Sequence, residues 1–201
     1  MGKNVGIIGG TFNPIHNGHL MLAEHAWSQF ELDEILFIPT GISYFKDQNI
    51  VLDKSHRLNM TSLAIENNPH FALSTIETDR EGNSYTYETL TALKEANPDV
   101  NYYLICGADT LFQIETWKNP DIIFKLASML VSVRDLKSIS DLEEKANELK
   151  LKFNADIKIM QFPLIDISST DIRDRVKKGL SVRYMLSDAV IEYIDKNGLY
   201  R

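Results

Sequence analysis

Val5-Gly6-Ile7-Ile8-Gly9-Gly10-Thr11-Phe12-Asn13-Pro14-Ile15-His16-Asn17-Gly18-His19 governs how the rest of the chain is read. Residues 5–8 are a short apolar run, the pattern of a buried strand. Gly9 to Pro14 break that run with glycines, small polar groups and a proline. From His16 onward the apolar positions Leu20, Ala23, Trp27 and Phe30 follow helical spacing. The stretch therefore predicts a strand, a glycine-rich turn and a helix. This order sets bare backbone N–H groups beside a helix N-terminus, which favours an anion.

The two histidines sharpen the expectation. His16 and His19 are three residues apart at a helix start and share one face. Asn17 is the expected N-cap, with His16 just outside the helix and His19 in its first turn. Neutral or protonated, each imidazole donates a hydrogen bond to a phosphate oxygen. Gly9 and Gly10 carry no Cβ, so a ligand can approach their main chain. On these residues alone two other readings stay open. The pair also fits two surface histidines, or two ligands of a metal, although no Cys or Asp follows and Glu24 is the only close carboxylate.

At 201 residues with 44% apolar side chains, the chain suits one domain over 1–201, with 168–201 as its C-terminal helical part. Its one cysteine, Cys106, lies in an apolar run, so no disulfide is expected and a reducing, cytoplasmic setting fits. The start of the chain reads as a strand and not as a signal peptide. No apolar run approaches the ~20 residues that span a bilayer, so no membrane is expected as a partner. A net charge of −7 disfavours a long nucleic acid, whose affinity comes largely from lysine and arginine on phosphates. A free nucleotide needs only a few local basic groups and is not excluded. Oligomeric state is not given by the sequence, and homo-oligomerisation is left open.

Apolar runs alternate with amphipathic segments along the chain. Strands are expected at 34–39, 72–76, 100–106, 127–133 and, as an edge, 155–160. Helices are expected at 53–67, 85–96, 139–152, 169–178 and 187–197. In the first of these Asp53 caps, and Leu58, Ser62 and Ile65 share a face; Arg57 is either a second cationic contact or part of a solvated helix face, and the solvated face is preferred. The alternation predicts an α/β fold: a Rossmann-like, doubly wound, mainly parallel sheet with helices on both faces. Ligands of such sheets bind at the carboxyl ends of the strands, where 9–19, 107–111 and 134–138 would converge. The stretch 39–52 lacks strong periodicity and is a candidate mobile loop.

Ile167-Ser168-Ser169-Thr170-Asp171-Ile172-Arg173 is a second motif. Ser168 can cap a helix whose third residue is Asp171. The helix start, its hydroxyls and the Arg173 fork suit phosphate oxygens. An ordinary capped surface helix fits the same residues.

Gly9-Gly10-Thr11-Phe12-Asn13-Pro14-Ile15-His16-Asn17-Gly18-His19 resembles the signature of the HxGH nucleotidyltransferases, closest to the bacterial nicotinate-nucleotide adenylyltransferases. Residues 167–173 resemble that family's C-terminal ISSTxIR signature, and Ser84-Tyr85-Thr86-Tyr87-Glu88-Thr89 its SYTxxT segment. The resemblance runs from Gly6 to Tyr200. It departs at Asn13, where the family usually has Asp. It also departs at Gly41-Ile42-Ser43-Tyr44-Phe45-Lys46, where the family usually has an Asn-Pro-Pro-His-Lys segment. Loss of those prolines implies a less rigid loop around Lys46.

The resemblance implies transfer of the adenylyl group of ATP to nicotinate mononucleotide, giving deamido-NAD and pyrophosphate without a covalent intermediate. His16, His19, Lys46 and Arg173 are the implied catalytic contacts. Gly9, Gly10, Thr11, Phe12, Gly18, Gly107, Asp109, Ile167, Ser168 and Ser169 are the implied ATP site, with Asp109 on the ribose. Tyr85, Thr86, Trp117 and Arg134 are the implied nicotinate-nucleotide contacts, Trp117 stacking on the ring. Mg²⁺ is expected on the ATP phosphates, with few or no protein ligands. Nicotinamide mononucleotide as acceptor, or a catalytically silent nucleotide sensor, are the alternatives.

Overall fold

The computed structural model describes residues 2–42, 50–133, 139–163 and 165–201. At its centre is β1 (Asn4–Gly10), flanked by β2 (Glu34–Pro39) and β4 (Asn101–Gly107). Outside these run β3 (Phe71–Leu73) beside β2, then β5 (Ala127–Val133) and β6 (Ile157–Gln161) beyond β4. The order is β3-β2-β1-β4-β5-β6, and every pairing is parallel. Strand order therefore reverses between β1 and β4, the place where such sheets open a crevice at their carboxyl ends.

The two-residue period of β1 builds both layers. Ile8 faces one core with Ile35 and Phe37 of β2; Val5 and Ile7 face the other with Leu104 of β4 and Met129 of β5. The first core is covered by α1 (Asn17–Gln29), α2 (Lys54–Ile65), α7 (Ser169–Lys177) and α8 (Asp188–Lys196). The second is covered by α3 (Thr86–Ala96), α4 (Ala108–Gln113), α5 (Pro120–Leu126) and α6 (Ile139–Phe153). The doubly wound, parallel α/β expectation holds, with β6 at the edge as expected.

Two expectations need correction. No helix was expected between Gly107 and Ala127, yet α4, a 3-10 turn at Ile114–Thr116 and α5 lie there. Each piece is too short to show two helical periods in sequence, and Pro120 restarts the last one at its first position. In α2 the buried residues are Arg57, Met60, Thr61 and Ile65, and Ser62 is exposed. The inward stripe includes a charge, which moves it off the face that apolarity alone selects.

Candidate active site

The turn after β1 enters α1 through a pair of rings. His16 is the N-cap, in extended backbone at φ −145°, and His19 is the third helical residue. Together they form a capping box in which the His16 backbone N–H donates to His19 Nδ1 at 3.2 Å. The imidazoles stack with centroids 3.7 Å apart and planes 26° apart, and Phe12 meets His19 edge-on at 5.1 Å. A backbone N–H only donates, so a neutral His19 carries its proton on Nε2, the outer nitrogen. Gly18 leaves room for the His16 ring, since a Cβ there would sit 3.0 Å from His16 Nδ1 and press on it.

The expectation of Asn17 as N-cap is corrected: His16 takes that place. Asn17 is the first helical residue, donating its N–H to Met185 O and its Nδ2 to Tyr184 O, both at 2.8 Å. With His16 at the cap and its N–H bound by His19 Nδ1, the Asn17 amide is left to tie in the segment before α8.

The second signature meets the same turn from across the molecule. Ser168 caps α7, its Oγ accepting from the Asp171 N–H at 3.1 Å. Ser169 Oγ donates to Pro14 O at 2.9 Å, and Arg173 Nη1 donates to Asn13 O at 2.9 Å. Arg173 Nη2 reaches Thr170 Oγ1 at 3.3 Å. Two clusters about 155 residues apart in sequence are thus joined by direct hydrogen bonds. Ile167, half-buried, packs on the first core and carries the chain into this cap.

Beneath the turn lies a polar core that the sequence reading missed. Arg57, only 2% exposed, is not on a solvated face. Its Nη1 donates to Thr11 O at 2.8 Å, its Nη2 to Gly41 O at 3.0 Å and its Nε to Leu52 O at 3.0 Å. Burial lowers its pKa, with Asp53 opposing, and an arginine stays charged nonetheless. Asn13 is the second hub: Nδ2 donates to Ile50 O at 2.9 Å, and Oδ1 accepts from Tyr200 Oη at 2.9 Å and from the Leu52 N–H at 3.3 Å. Burial pushes the Tyr200 phenol up, with Arg173 and Arg57 opposing, so it remains a donor. Arg57 carried one sequence signal, its helical spacing to Met60, Thr61 and Ile65.

Two of the other expected residues stand at the carboxyl ends of neighbouring strands. Gly10 ends β1 and Gly107 ends its neighbour β4, where Gly107 caps α4 and exposed Asp109 lies in that helix's first turn. A Cβ at Gly9 or Gly107 would meet almost nothing, the nearest atom to Gly9 being 4.0 Å away. Phe12 is buried at a positive φ of 48° and walls the turn from below. Tyr85 is the N-cap of α3 and Thr86 its first residue. Ser84 Oγ accepts from the Gly41 N–H at 3.1 Å, so this segment abuts the chain after β2. Below it the buried Glu77 carboxyl accepts from Thr89 Oγ1 at 2.8 Å, and burial raises its pKa against the Thr89 and Ser84 hydrogen bonds. Trp117 closes the 3-10 turn and packs half-buried on the second core. Burial pushes the Cys106 thiol up to about 12, which makes it inert. Lys46 and Arg134 lie outside the described residues, as do most of 41–52 and all of 134–138.

Among the described residues no three His, Cys, Asp or Glu side chains group as metal ligands. Among those residues no helix is long and apolar enough to cross a membrane.

Comparison with known proteins follows the same lines. The chain matches the cytidylyltransferase-like family over residues 7–175. It is 43% identical over 198 residues to a probable nicotinate-nucleotide adenylyltransferase of Lachnoclostridium phytofermentans, covering 98% of this chain and 99% of the relative. It is 39% identical over 199 residues to a protein of the same description in Clostridium tetani, covering 99% and 100%. In fold it is similar to Plasmodium falciparum nicotinic acid mononucleotide adenylyltransferase complexed with NaAD, with a TM-score of 0.81 at 23% identity over 98% of this chain and 97% of that one.

Proposed function

The chain belongs to the nicotinate-nucleotide adenylyltransferases of the cytidylyltransferase-like family, and from that membership we propose how its cleft performs the reaction. The enzyme transfers the adenylyl group of ATP to nicotinate mononucleotide, making deamido-NAD and pyrophosphate in NAD biosynthesis. A phosphate oxygen of the mononucleotide attacks Pα in line. As that bond forms, the bond from Pα to the oxygen bridging to Pβ breaks, and its electron pair leaves with pyrophosphate. A phosphate monoester is largely dianionic at neutral pH, so neither a strong base nor a covalent intermediate is required. Mg²⁺ enters with ATP as part of the substrate.

The enzyme's work is then alignment and charge stabilisation. Holding two reactants in line removes roughly 7–11 kcal/mol of barrier. His19 donates to the transferring phosphoryl group, and His16 to its neighbour. The observation that carries this assignment is the His19 ring, whose inner nitrogen is occupied by the His16 N–H. Gly9, Gly10, Thr11 and the start of α1 add backbone donors. Ser168, Ser169 and Arg173 face the outer phosphates; among the described residues the guanidinium spends two of its five N–H groups on the protein. Lys46 approaches from the segment after β2, and Asp109 receives the ribose. Tyr85, Thr86, Trp117 and Arg134 take the pyridine nucleotide. We read the chain as one catalytic domain over 1–201, and its single cysteine fits a reducing cytoplasm.

The test is pyrophosphate release from ATP with nicotinate mononucleotide, nicotinamide mononucleotide, phosphopantetheine and glycerol phosphate in parallel. Nicotinate mononucleotide should give the highest kcat/KM. Faster turnover of either non-pyridine acceptor, or no release with any, refutes the assignment.

A further inference from the structure

We propose that Lys118 sets this enzyme's preference for a carboxylate over a carboxamide on the pyridine ring. The inference rests on the reading above, in which Tyr85, Thr86 and Trp117 hold the pyridine nucleotide. Lys118 follows Trp117 directly, at the turn that leads into α5. Its Nζ lies 4.2 Å from the centre of the Tyr85 ring and 5.8 Å from that of Tyr87. Tyr85 is the N-cap of α3, so the ammonium spans from the indole-bearing turn to the first turn of that helix. The cation therefore lies on the ring of Tyr85, assigned to the pyridine nucleotide, and is carried by the residue next to Trp117.

That cation is held without being neutralised. Among the described residues no ion pair engages Lys118. Glu88, in the same first turn of α3, accepts from Tyr87 Oη at 2.7 Å and faces Arg80 at 3.6 Å. An aromatic face attracts an ammonium and leaves its charge intact. The N-terminal end of α3 adds partial charge of the same sign. A ring carboxylate meets this environment with opposite charge. A carboxamide meets it with no charge, and half of its polar surface is an NH₂ that an ammonium, having only donors, cannot match.

The experiment compares kcat/KM for nicotinate and nicotinamide mononucleotide in the wild type, Lys118→Met and Lys118→Arg, at low and high salt. In Lys118→Met the acid-to-amide ratio should fall about tenfold, the scale of one charge-assisted contact, mostly through KM for the acid. Lys118→Arg should keep most of the ratio. Raising the salt should narrow the wild-type ratio more than that of the methionine variant, because Lys118 is exposed and its charge is screened. A ratio unchanged by Lys118→Met, or equal losses on both mononucleotides, overturns the role of Lys118 and leaves the reaction standing. A wild type that releases no pyrophosphate from nicotinate mononucleotide overturns the reaction as well.

Discussion

Replacing Arg57 tests whether the turn after β1 is held from beneath by a buried charge. In Arg57→Met the carbonyls of Thr11, Gly41 and Leu52 lose their donors together. Each buried acceptor left without a partner costs about 1–3 kcal/mol. Two effects pull the total down. Methionine relieves the desolvation that burial imposes on the guanidinium, and water can enter to satisfy some of the carbonyls. Three such acceptors sum to about 3–9 kcal/mol, and with those two offsets we expect about 3–5 kcal/mol here. With a urea m-value of about 2 kcal/mol/M, the unfolding midpoint should drop by about 1.5–2.5 M. This is a large share of the ~5–15 kcal/mol that holds an ordinary domain, so a second variant guards against simple loss of fold. Arg57→Lys keeps the charge but is a point donor and cannot span three carbonyls. It should lose about half as much stability. Its KM for ATP should rise, because Thr11 lies in the turn to which the proposed function assigns the phosphates. A midpoint within 0.5 M of wild type for Arg57→Met, on the same ~2 kcal/mol/M slope, would refute the claim that the guanidinium holds these segments.

Three further outcomes are expected. His19→Ala should lower kcat a hundredfold or more, the scale of removing one preorganised donor, while the thermal midpoint falls only by the ~2–4 °C of one lost cap contact; near-normal turnover rejects the assignment. Asn13→Asp should destabilise by about 1–2 kcal/mol in urea titration, because a carboxylate cannot donate to Ile50 O and leaves that carbonyl orphaned. Glu115 accepts from Lys145 and from Lys152, and Lys145 is the larger of the causes that hold its carboxyl down to about 2. A depressed carboxylate stabilises the fold above its ordinary pKa of 4.5 and loses that contribution as the pH falls toward 2. The gap in thermal midpoint between wild type and Glu115→Gln should therefore be full at pH 6 and close on acidification; a gap constant from pH 6 to about 2 rules the linkage out.

Local patterns were legible and non-local ones were not. β1, the turn and α1 could be read because strand period, breaker residues and helix period are each written over a few neighbours. The Ser168 cap of α7 was legible for the same reason. Arg57 was not, because its partners are carbonyls, which every residue carries, and they arrive from positions 11, 41 and 52. A charge on an amphipathic helix reads as solvated unless those partners are known. Asn13 stood out in sequence only as a departure from a family pattern. Its amide has work to do at Ile50 O that no pattern around residue 13 announces. The cap of α1 was misplaced by one residue because Asn is a common cap and His is not among the usual ones.

In the function proposed above, a chain with net charge −7 has to offer a triphosphate a receptive surface, and the turn after β1 suits that role because its own oxygens are taken up. Gly10 O accepts from Thr40 N–H, Thr11 O from Arg57, Asn13 O from Arg173, Pro14 O from Ser169 and His16 O from the His19 N–H. Lone pairs bound by protein donors are not aimed at an incoming phosphate. Two of those donors carry full positive charge, so the turn is backed by cations where it is most crowded with carbonyls. Charge near a site falls off over a Debye length of about 8 Å at physiological salt, so the acidic exterior weighs little against two arginines one bond away. The same hydrogen bonds hold α7 on the turn, so fixing the histidines and bringing up Arg173 are one structural event.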